Sequence, residues 1–179
     1  MAYWNTRGLR GSAFEDLINM TNQLYYSHGL AVVQKVPTPI TPVSVDNTSH
    51  TISCAYFGEK STVDYIGAVQ GFALCFDAKE TQTKNLPLRN IHPHQMDFMK
   101  AFQKQKGVAF ILVQFHATRE IFYVSYDMLQ NHFTNAARQK RKSIAYADFD
   151  PKYRVYNKAG YPVHYLEAVQ LYITAGAKH

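Results

Sequence analysis

The chain has 179 residues, a formal net charge of +6 at pH 7 and a sequence pI of about 9.2. Hydrophobic residues make up 46% of it, which excludes an intrinsically disordered chain, and no apolar run approaches the roughly 20 residues that span a bilayer. We therefore expect one domain over residues 1–179, and the excess of positive charge favours a polyanionic partner.

Two features of the sequence bear on its compartment. No apolar signal region follows Arg7 and Arg10, so we do not expect secretion. Cys54 and Cys75 lack the spacing of metal ligands, and two reduced thiols are usual in a reducing compartment. We expect a cytoplasmic protein with no membrane association.

The first part of the chain predicts a helix, a strand and a projecting hairpin. Ser12 and Glu15 have the spacing of a capping box at the start of a helix over residues 12–28. A strand over residues 30–36 follows it. Residues 37–57 alternate like an extended hairpin, and their three prolines suit an edge that projects rather than the interior of a sheet.

A second hairpin, over residues 62–81, carries two acidic residues and a lysine. Asp64 lies thirteen residues before Asp77, and Lys79 follows Asp77 by two. Because side chains alternate along a strand, Asp77 and Lys79 point the same way, about 6–7 Å apart. Asp64, from the other arm of the hairpin, could meet Asp77 around one divalent cation.

Two carboxylates and a lysine are what a metal-dependent phosphodiesterase needs. Carboxylate oxygens suit Mg²⁺ or Mn²⁺, and such a cation activates water and neutralises the charge that develops on phosphate. Lys79 would orient that water or stabilise the negative charge. A solvated hairpin with one ion pair has the same pattern, so the spacing alone leaves both interpretations open.

The second part of the chain predicts two helices, two strands and a basic run before a tyrosine-rich tail. The elements are a helix from His92 to Gly107, strands over 108–115 and 120–124, a helix over 125–137, the basic run 138–142 and a closing helix over 162–173. The order helix, strand, strand, strand, helix, strand matches the core of the PD-(D/E)xK nucleases. We therefore expect an α/β fold, with a central mixed sheet flanked by helices and a projecting hairpin.

Nine segments resemble one family in particular. They are Asn5-Thr6-Arg7-Gly8, Glu15-Asp16-Leu17-Ile18-Asn19-x-Thr21-Asn22, Lys35-Val36-Pro37-Thr38-Pro39, Ala55-Tyr56-Phe57, Thr62-Val63-Asp64-Tyr65-x-Gly67, Phe76-x-Ala78-Lys79-Glu80-Thr81, Pro87-Leu88, His92-x-His94-Gln95-x-x-x-Met99 and Arg141-Lys142-Ser143-Ile144. Spread in order over the whole chain, they resemble the RecU Holliday-junction resolvases.

This resemblance implies a homodimer that binds four-way DNA and cuts two opposed strands using Mg²⁺ or Mn²⁺. It implies association with the nucleoid, and a recombinase or branch-migration protein as a further partner. By position, the family's metal-site residues correspond to Thr62, Asp64, Asp77 and Gln95, and its transition-state stabiliser corresponds to Lys79.

The hairpin over residues 37–57 resembles the family's stalk, which reaches into the centre of the junction. Two features depart from the family. Asp77 stands where the family usually has Glu, so the side chain is shorter by one bond, about 1.5 Å. The segment 45–50 also lacks the Lys and Arg expected of a stalk.

The sequence leaves two interpretations open for several residues. Glu15 is either a helix-capping residue or an additional catalytic carboxylate near the metal. Gln95 is either an ordinary residue of a helix's first turn or a metal ligand. His92 and His94 have the spacing of a zinc pair, but the sequence offers no cluster that would complete four ligands.

Seven basic residues are candidate DNA contacts, with a disordered tail as the alternative for Arg7 and Arg10 and a solvated helix end as the alternative for residues 140–142. They are Arg7, Arg10, Lys35, Lys60, Lys140, Arg141 and Lys142.

The sequence therefore predicts a structure-selective endonuclease that acts on four-way junctions in homologous recombination and DNA repair. One alternative is a nuclease of the same core that cuts ordinary duplex DNA. Another is a catalytically weak protein that binds DNA or modulates a recombinase.

Overall fold

The computed structural model describes residues 12–46, 48–58 and 62–176. Within them the helices are α1 (Ala13–Ser27), α2 (Pro93–Lys104), α3 (Tyr126–Arg138) and α4 (Leu166–Gly176). The strands there are β1 (Val32–Lys35), β2 (Ile40–Asp46), β3 (Thr51–Phe57), β4 (Tyr65–Val69), β5 (Phe72–Thr81), β6 (Asn85–Pro87), β7 (Val108–Phe115), β8 (Glu120–Ser125), β9 (Ser143–Ala145) and β10 (Arg154–Val155). None of the helices in these segments has the length and apolar composition needed to cross a bilayer.

Six strands form a central mixed sheet in the order β1-β4-β5-β7-β8-β10. β5 and β7 are parallel, because α2 crosses between them, and the other neighbours are antiparallel. Leu74 and Phe76 of β5 pack with α1 and α4, whereas Cys75 packs with α2 and α3. The sheet is thus flanked by helices on both faces, and the predicted α/β class is confirmed.

The ends of several elements follow the sequence closely. The Ser12 side chain accepts a hydrogen bond from the Glu15 N–H at 3.2 Å, as a helix N-cap should. The turn of the β4–β5 hairpin falls at the predicted Gln70-Gly71, where both residues have positive φ. β7 covers the predicted residues 108–115.

Several predicted elements have different limits. The helix expected from His92 to Gly107 is α2 (Pro93–Lys104), with Gln105 as its C-cap. The strand expected over residues 30–36 is only β1 (Val32–Lys35), the length that pairs with β4. The helix expected over 162–173 is α4 (Leu166–Gly176). It starts later because Pro162 follows a turn closed by the Tyr161 N–H and the Lys158 carbonyl, and the Val163 N–H donates to Thr21 Oγ1.

β2 and β3 form a separate two-stranded ribbon, as the sequence predicted. Its pairing runs from Ile40 opposite Phe57 to Asp46 opposite Thr51, with irregular register near Pro42 and Ser44. Every residue of β2 is exposed. The ribbon is an insertion between β1 and β4, and its identity as the stalk of a single nuclease domain stays a prediction.

Gly67 offers a test of the β1–β4 register. It lies opposite Val33, and an added Cβ would be 2.2 Å from the Val32 carbonyl oxygen and 2.7 Å from Val33 Cα. Because these are backbone atoms, β1 would have to move. We expect Gly67→Ala to lower the free energy of unfolding by about 1–3 kcal/mol in urea titrations. Gly176→Ala, where nothing lies within 4 Å of the added Cβ, is the control, and equal losses in the two variants would contradict this register.

Candidate metal centre

β5 carries Asp77 into the interior of the protein together with its counter-ion. The Asp77 side chain is fully buried, and Lys79 Nζ lies 2.6 Å from its Oδ2 atom. The two side chains share a face of β5, as the alternation predicted, and only 13% of the Lys79 side chain is exposed. A buried carboxylate needs such a partner, because its desolvation costs several kcal/mol.

Asp64 meets Asp77 from the neighbouring chain segment. It immediately precedes β4, whose first residue, Tyr65, pairs with Phe76. The Asp64 N–H donates to Asp77 Oδ1 at 3.0 Å, and Asp64 Oδ2 accepts from the Ala78 N–H at 3.1 Å. These reciprocal hydrogen bonds bring together the two carboxylates that the sequence singled out.

The two acids strongly influence each other. Burial, followed by the hydrogen bond and the charge of Asp77, raises the pKa of the Asp64 carboxyl well above its ordinary value. The Ala78 N–H and the Lys79 ammonium oppose this rise. Adjacent carboxylates in a low-dielectric site favour a proton or a metal ion between them, because both cannot be ionised without cost.

The residues present fit a hard divalent cation. Asp77 Oδ2 is buried and, among the residues that the structure describes, has no hydrogen-bond donor in addition to the ionic contact with Lys79. The same residues contain no group of three or more His, Cys, Asp or Glu side chains that could hold a metal. Two carboxylates suit Mg²⁺ or Mn²⁺, which keep several waters, better than a closed zinc site.

Gln95 lies in the first turn of α2, the helix that packs on the Cys75 face of β5. Its side chain is almost fully buried, and Oε1 accepts a hydrogen bond from the His92 N–H at 3.1 Å. The capping bond explains its burial without a metal. Thr62 is exposed, two residues before Asp64. Metal ligation by Thr62 and Gln95 stays a prediction.

His92 and His94 stack on each other at the start of α2, with ring centroids 5.4 Å apart. Within the described segments no third His, Cys, Asp or Glu joins them in a group that could hold a metal. The zinc interpretation of this pair therefore gains no support.

Glu15 is engaged outside the carboxylate pair. Its Oε2 atom lies 2.6 Å from Lys35 Nζ, an ion pair that joins α1 to β1. Glu15 does not complete a three-residue metal-binding group with Asp64 and Asp77 in the described part of the chain. Its catalytic role stays a prediction, and Lys35, a candidate DNA contact, has a carboxylate partner already.

Tyr65 supports the site, a role that the sequence alone did not reveal. Its ring stacks on Phe76 with centroids 4.6 Å apart, on the face of the sheet opposite Asp77. Its hydroxyl lies 3.1 Å from Asn19 Oδ1 and 3.4 Å from the Glu15 carbonyl oxygen, so it ties α1 to the strand next to Asp64. The only local indication of this role was the position of Tyr65 directly after Asp64 in a strand whose side chains alternate.

The other basic residues that were predicted to contact DNA lie in different surroundings. Arg7, Arg10 and Lys60 lie outside the described residues. Residues 140–142 are exposed between α3 and β9, and Arg141 Nη1 lies 3.5 Å from Asp148 Oδ2. Contact of any of these residues with DNA stays a prediction.

Comparison with known proteins decides the family. The sequence model of RecU, described as "Recombination protein U", matches residues 9–171. The chain belongs to the RecU family. The resemblance found in the nine sequence segments is thereby confirmed over nearly the whole chain.

Individual RecU proteins agree with this assignment. "Holliday junction resolvase RecU" of Ligilactobacillus salivarius (strain UCC118) is 41% identical, over 88% of this chain and 72% of its own length. The protein of the same name from Streptococcus pneumoniae (strain Taiwan19F-14) is 37% identical, over 93% and 86%. That of Leuconostoc citreum (strain KM20) is 38% identical, over 93% and 83%.

A solved structure gives a much weaker likeness. The Holliday junction resolvase Hjc of Archaeoglobus fulgidus superposes with a TM-score of 0.45 at 10% identity, over 75% of this chain and 90% of its own. At that level the likeness adds nothing to the assignment, which rests on the RecU relatives.

We expect Asp64→Asn to stabilise the metal-free protein near neutral pH. Since the pKa of Asp64 is raised in the folded protein from its ordinary value of 3.8 to about 7, ionisation costs stability, and this cost grows as the pH rises from about 4 to about 7 and is constant above that. The variant should melt about 2–4 °C higher at pH 7–8, on the order of 1 kcal/mol, and the difference should shrink as the pH falls toward 4.

Thermal melts in a chelator with Asp150→Asn, an exposed and unrelated change, control for the loss of one carboxylate. Added Mg²⁺ or Mn²⁺ should raise the melting temperature of the unmodified protein and not that of Asp64→Asn. A lower melting temperature of Asp64→Asn at pH 7–8 would mean that the carboxylate pair is not repulsive.

Proposed function

We propose that this RecU-family protein is a metal-dependent endodeoxyribonuclease that cleaves four-way DNA junctions in homologous recombination and DNA repair. The observation that carries the proposal is the arrangement of Asp64, Asp77 and Lys79 at one end of the β4–β5 hairpin. Relatives that match nearly the whole chain bear the name Holliday junction resolvase, which supports the choice of substrate.

In this proposal Asp64 and Asp77 hold the cation, with Thr62 and Gln95 as additional ligands. Bound there, Mg²⁺ or Mn²⁺ would supply Lewis-acid charge to the phosphate and lower the pKa of a water molecule. The protein contributes rigidity, because the Asp64 N–H and the Ala78 N–H each hold one carboxylate in place. The shorter Asp77 side chain is thus positioned by a bond from the backbone.

Lys79 would stabilise negative charge on the phosphate or orient the attacking water. Its ammonium is largely shielded from solvent and is held 2.6 Å from Asp77. A charge that is already desolvated and positioned needs little reorganisation when the phosphate becomes more negative. The ion pair with Asp77 therefore prepares Lys79 for this role.

The β2–β3 ribbon supports the proposal of a homodimer with a junction-centred stalk. Large apolar side chains are exposed along it: Ile40, Val43, Val45, Ile52 and Tyr56. Such a row on a ribbon that leaves the core suggests that it is covered in the working assembly. A recombinase or branch-migration protein as a further partner, and association with the nucleoid, stay predictions.

Asp77→Asn should abolish cleavage while leaving junction binding nearly intact. The change removes a charge that would hold the cation, whereas phosphate contacts from Lys and Arg persist. We expect a loss of at least two to three decades in rate, roughly 3–4 kcal/mol of transition-state stabilisation. Single-turnover cleavage of a labelled four-way junction with Mg²⁺ or Mn²⁺ measures it.

Glu167→Gln removes an acid at the surface of α4 and is the matched control. Comparison with a linear duplex of the same sequence separates the alternatives. Equal cleavage of both substrates would favour the duplex-cutting nuclease, and binding without cleavage by the unmodified protein would favour the catalytically weak DNA-binding protein. Wild-type cutting by Asp77→Asn would overturn the site assignment.

Shortening the β2–β3 ribbon should remove selectivity for junctions without unfolding the core. Replacing residues 42–55 by a short Gly-Ser turn keeps the pairs Ile40–Phe57 and Thr41–Tyr56 at its base. No element would then reach the branch point. Competition binding between a four-way junction and a linear duplex measures the effect.

In a milder variant, residues 47–50 are replaced by a two-residue turn. This variant keeps the strand pairs Val45–Ile52 and Asp46–Thr51, so it separates the loss of the tip from the loss of the whole ribbon. If the fully shortened protein kept its preference for junctions, recognition would lie in the body of the molecule.

A further inference from the structure

β6 and β9 form a short ribbon that brings two basic segments together. Asn85 pairs with Ala145 and Pro87 with Ser143, and the Leu88 N–H donates to the Lys142 carbonyl at 3.0 Å. These segments are distant in sequence, so only the pairing places Arg89 next to Arg141 and Lys142.

The ribbon borders a cleft of about 610 Å³, lined by Asn85, residues 87–89 and residues 141–143. Leu86 and Ile144 are buried beneath it and anchor it to the core. Arg89 and Lys142 are exposed and form no ion pair with any residue that the structure describes, while Arg141 contacts Asp148 at 3.5 Å. The cleft therefore has a fixed floor and a cationic rim.

β5 links the candidate metal centre to the β6–β9 ribbon. Asp77, Lys79 and Thr81 lie along one face of β5, and Thr81 Oγ1 donates to the Asn85 carbonyl at 2.7 Å. Leu86 and Ile144 pack in the same cluster as Cys75, on that face. Four residues of strand span about 13 Å, the length of roughly four base pairs of duplex, so the ribbon begins at about that distance from a cation that Asp77 would hold.

We propose that the β6–β9 ribbon is a phosphate-binding groove for the duplex arm that leads away from the cleaved strand. The inference rests on the proposed function and deepens it: Asp64 and Asp77 act at the branch, while Arg89, Arg141 and Lys142 hold the arm. Guanidinium groups bind phosphate oxygens through paired N–H donors, and contacts to phosphate carry no base sequence.

A second group of cations provides a comparison within the same chain. Lys100, Lys104 and Lys106 are equally exposed at the end of α2, just before β7. β7 begins with Val108, which pairs with Leu74 near the start of β5, whereas Thr81 is at the other end of that strand. These lysines therefore lie at the opposite end of the β5–β7 pair from Thr81 and the β6–β9 ribbon.

The test compares two triple variants with the same change in charge. Arg89→Gln, Arg141→Gln and Lys142→Gln are combined in one protein, and Lys100→Gln, Lys104→Gln and Lys106→Gln in the other. Binding to a four-way junction is measured without metal at several salt concentrations. The slope of log K against log salt should become shallower by about 0.9 for each phosphate that the ribbon variant no longer neutralises, and stay unchanged in the control.

A second measurement changes the DNA as well as the protein. Methylphosphonates placed about four to six nucleotides from the cleavage site should weaken binding of the unmodified protein and of the control, but not that of the ribbon variant. Equal slopes for the two triple variants, or equal weakening of all three proteins, would overturn the groove. Failure of the unmodified protein to bind junctions would instead overturn the proposed function.

Discussion

The buried carboxylate of Asp77 is the constraint on which the site depends. A carboxylate in the interior of a sheet is stable only with a charge partner and hydrogen bonds, because desolvation alone costs several kcal/mol. Lys79 provides the charge from the same strand, and Asp64 provides a backbone N–H from the next segment. The register of β4 and β5 is therefore coupled to the electrostatics of the centre.

The burial of Asp77 next to Asp64 also favours the binding of a cation. Bringing Asp64 against Asp77 raises the pKa of Asp64, so the folded protein holds two acids that repel each other when both are ionised. Binding of a divalent ion would relieve that repulsion. Stability and metal affinity are thus linked through one pair of side chains, and Tyr65 holds α1 against the strand that positions them.

The distribution of ion pairs says more about DNA contacts than the net charge does. Part of the basic surface is neutralised locally, in the pairs Lys35–Glu15, Lys152–Asp150, Arg154–Glu120 and Lys158–Glu167. Arg89 and Lys142 have no such partner among the described residues and stand on the face of the sheet that carries Asp77. The local ion pairs, rather than the net charge of +6, therefore determine which basic side chains are free to contact DNA.

The sequence by itself determined what depends on neighbouring residues: the cap at Ser12, the limits of β7, and the shared face of Asp77 and Lys79, which follows from alternation along a strand. Tertiary structure decided what depends on distant ones. β6, β9 and β10 have two or three residues each and form only by long-range pairing, so no periodicity marks them. The burial of Gln95 through its bond to the His92 N–H, the late start of α4 and the approach of Arg89 to Arg141 likewise required the folded chain, because contacts between remote segments leave no pattern in the local sequence.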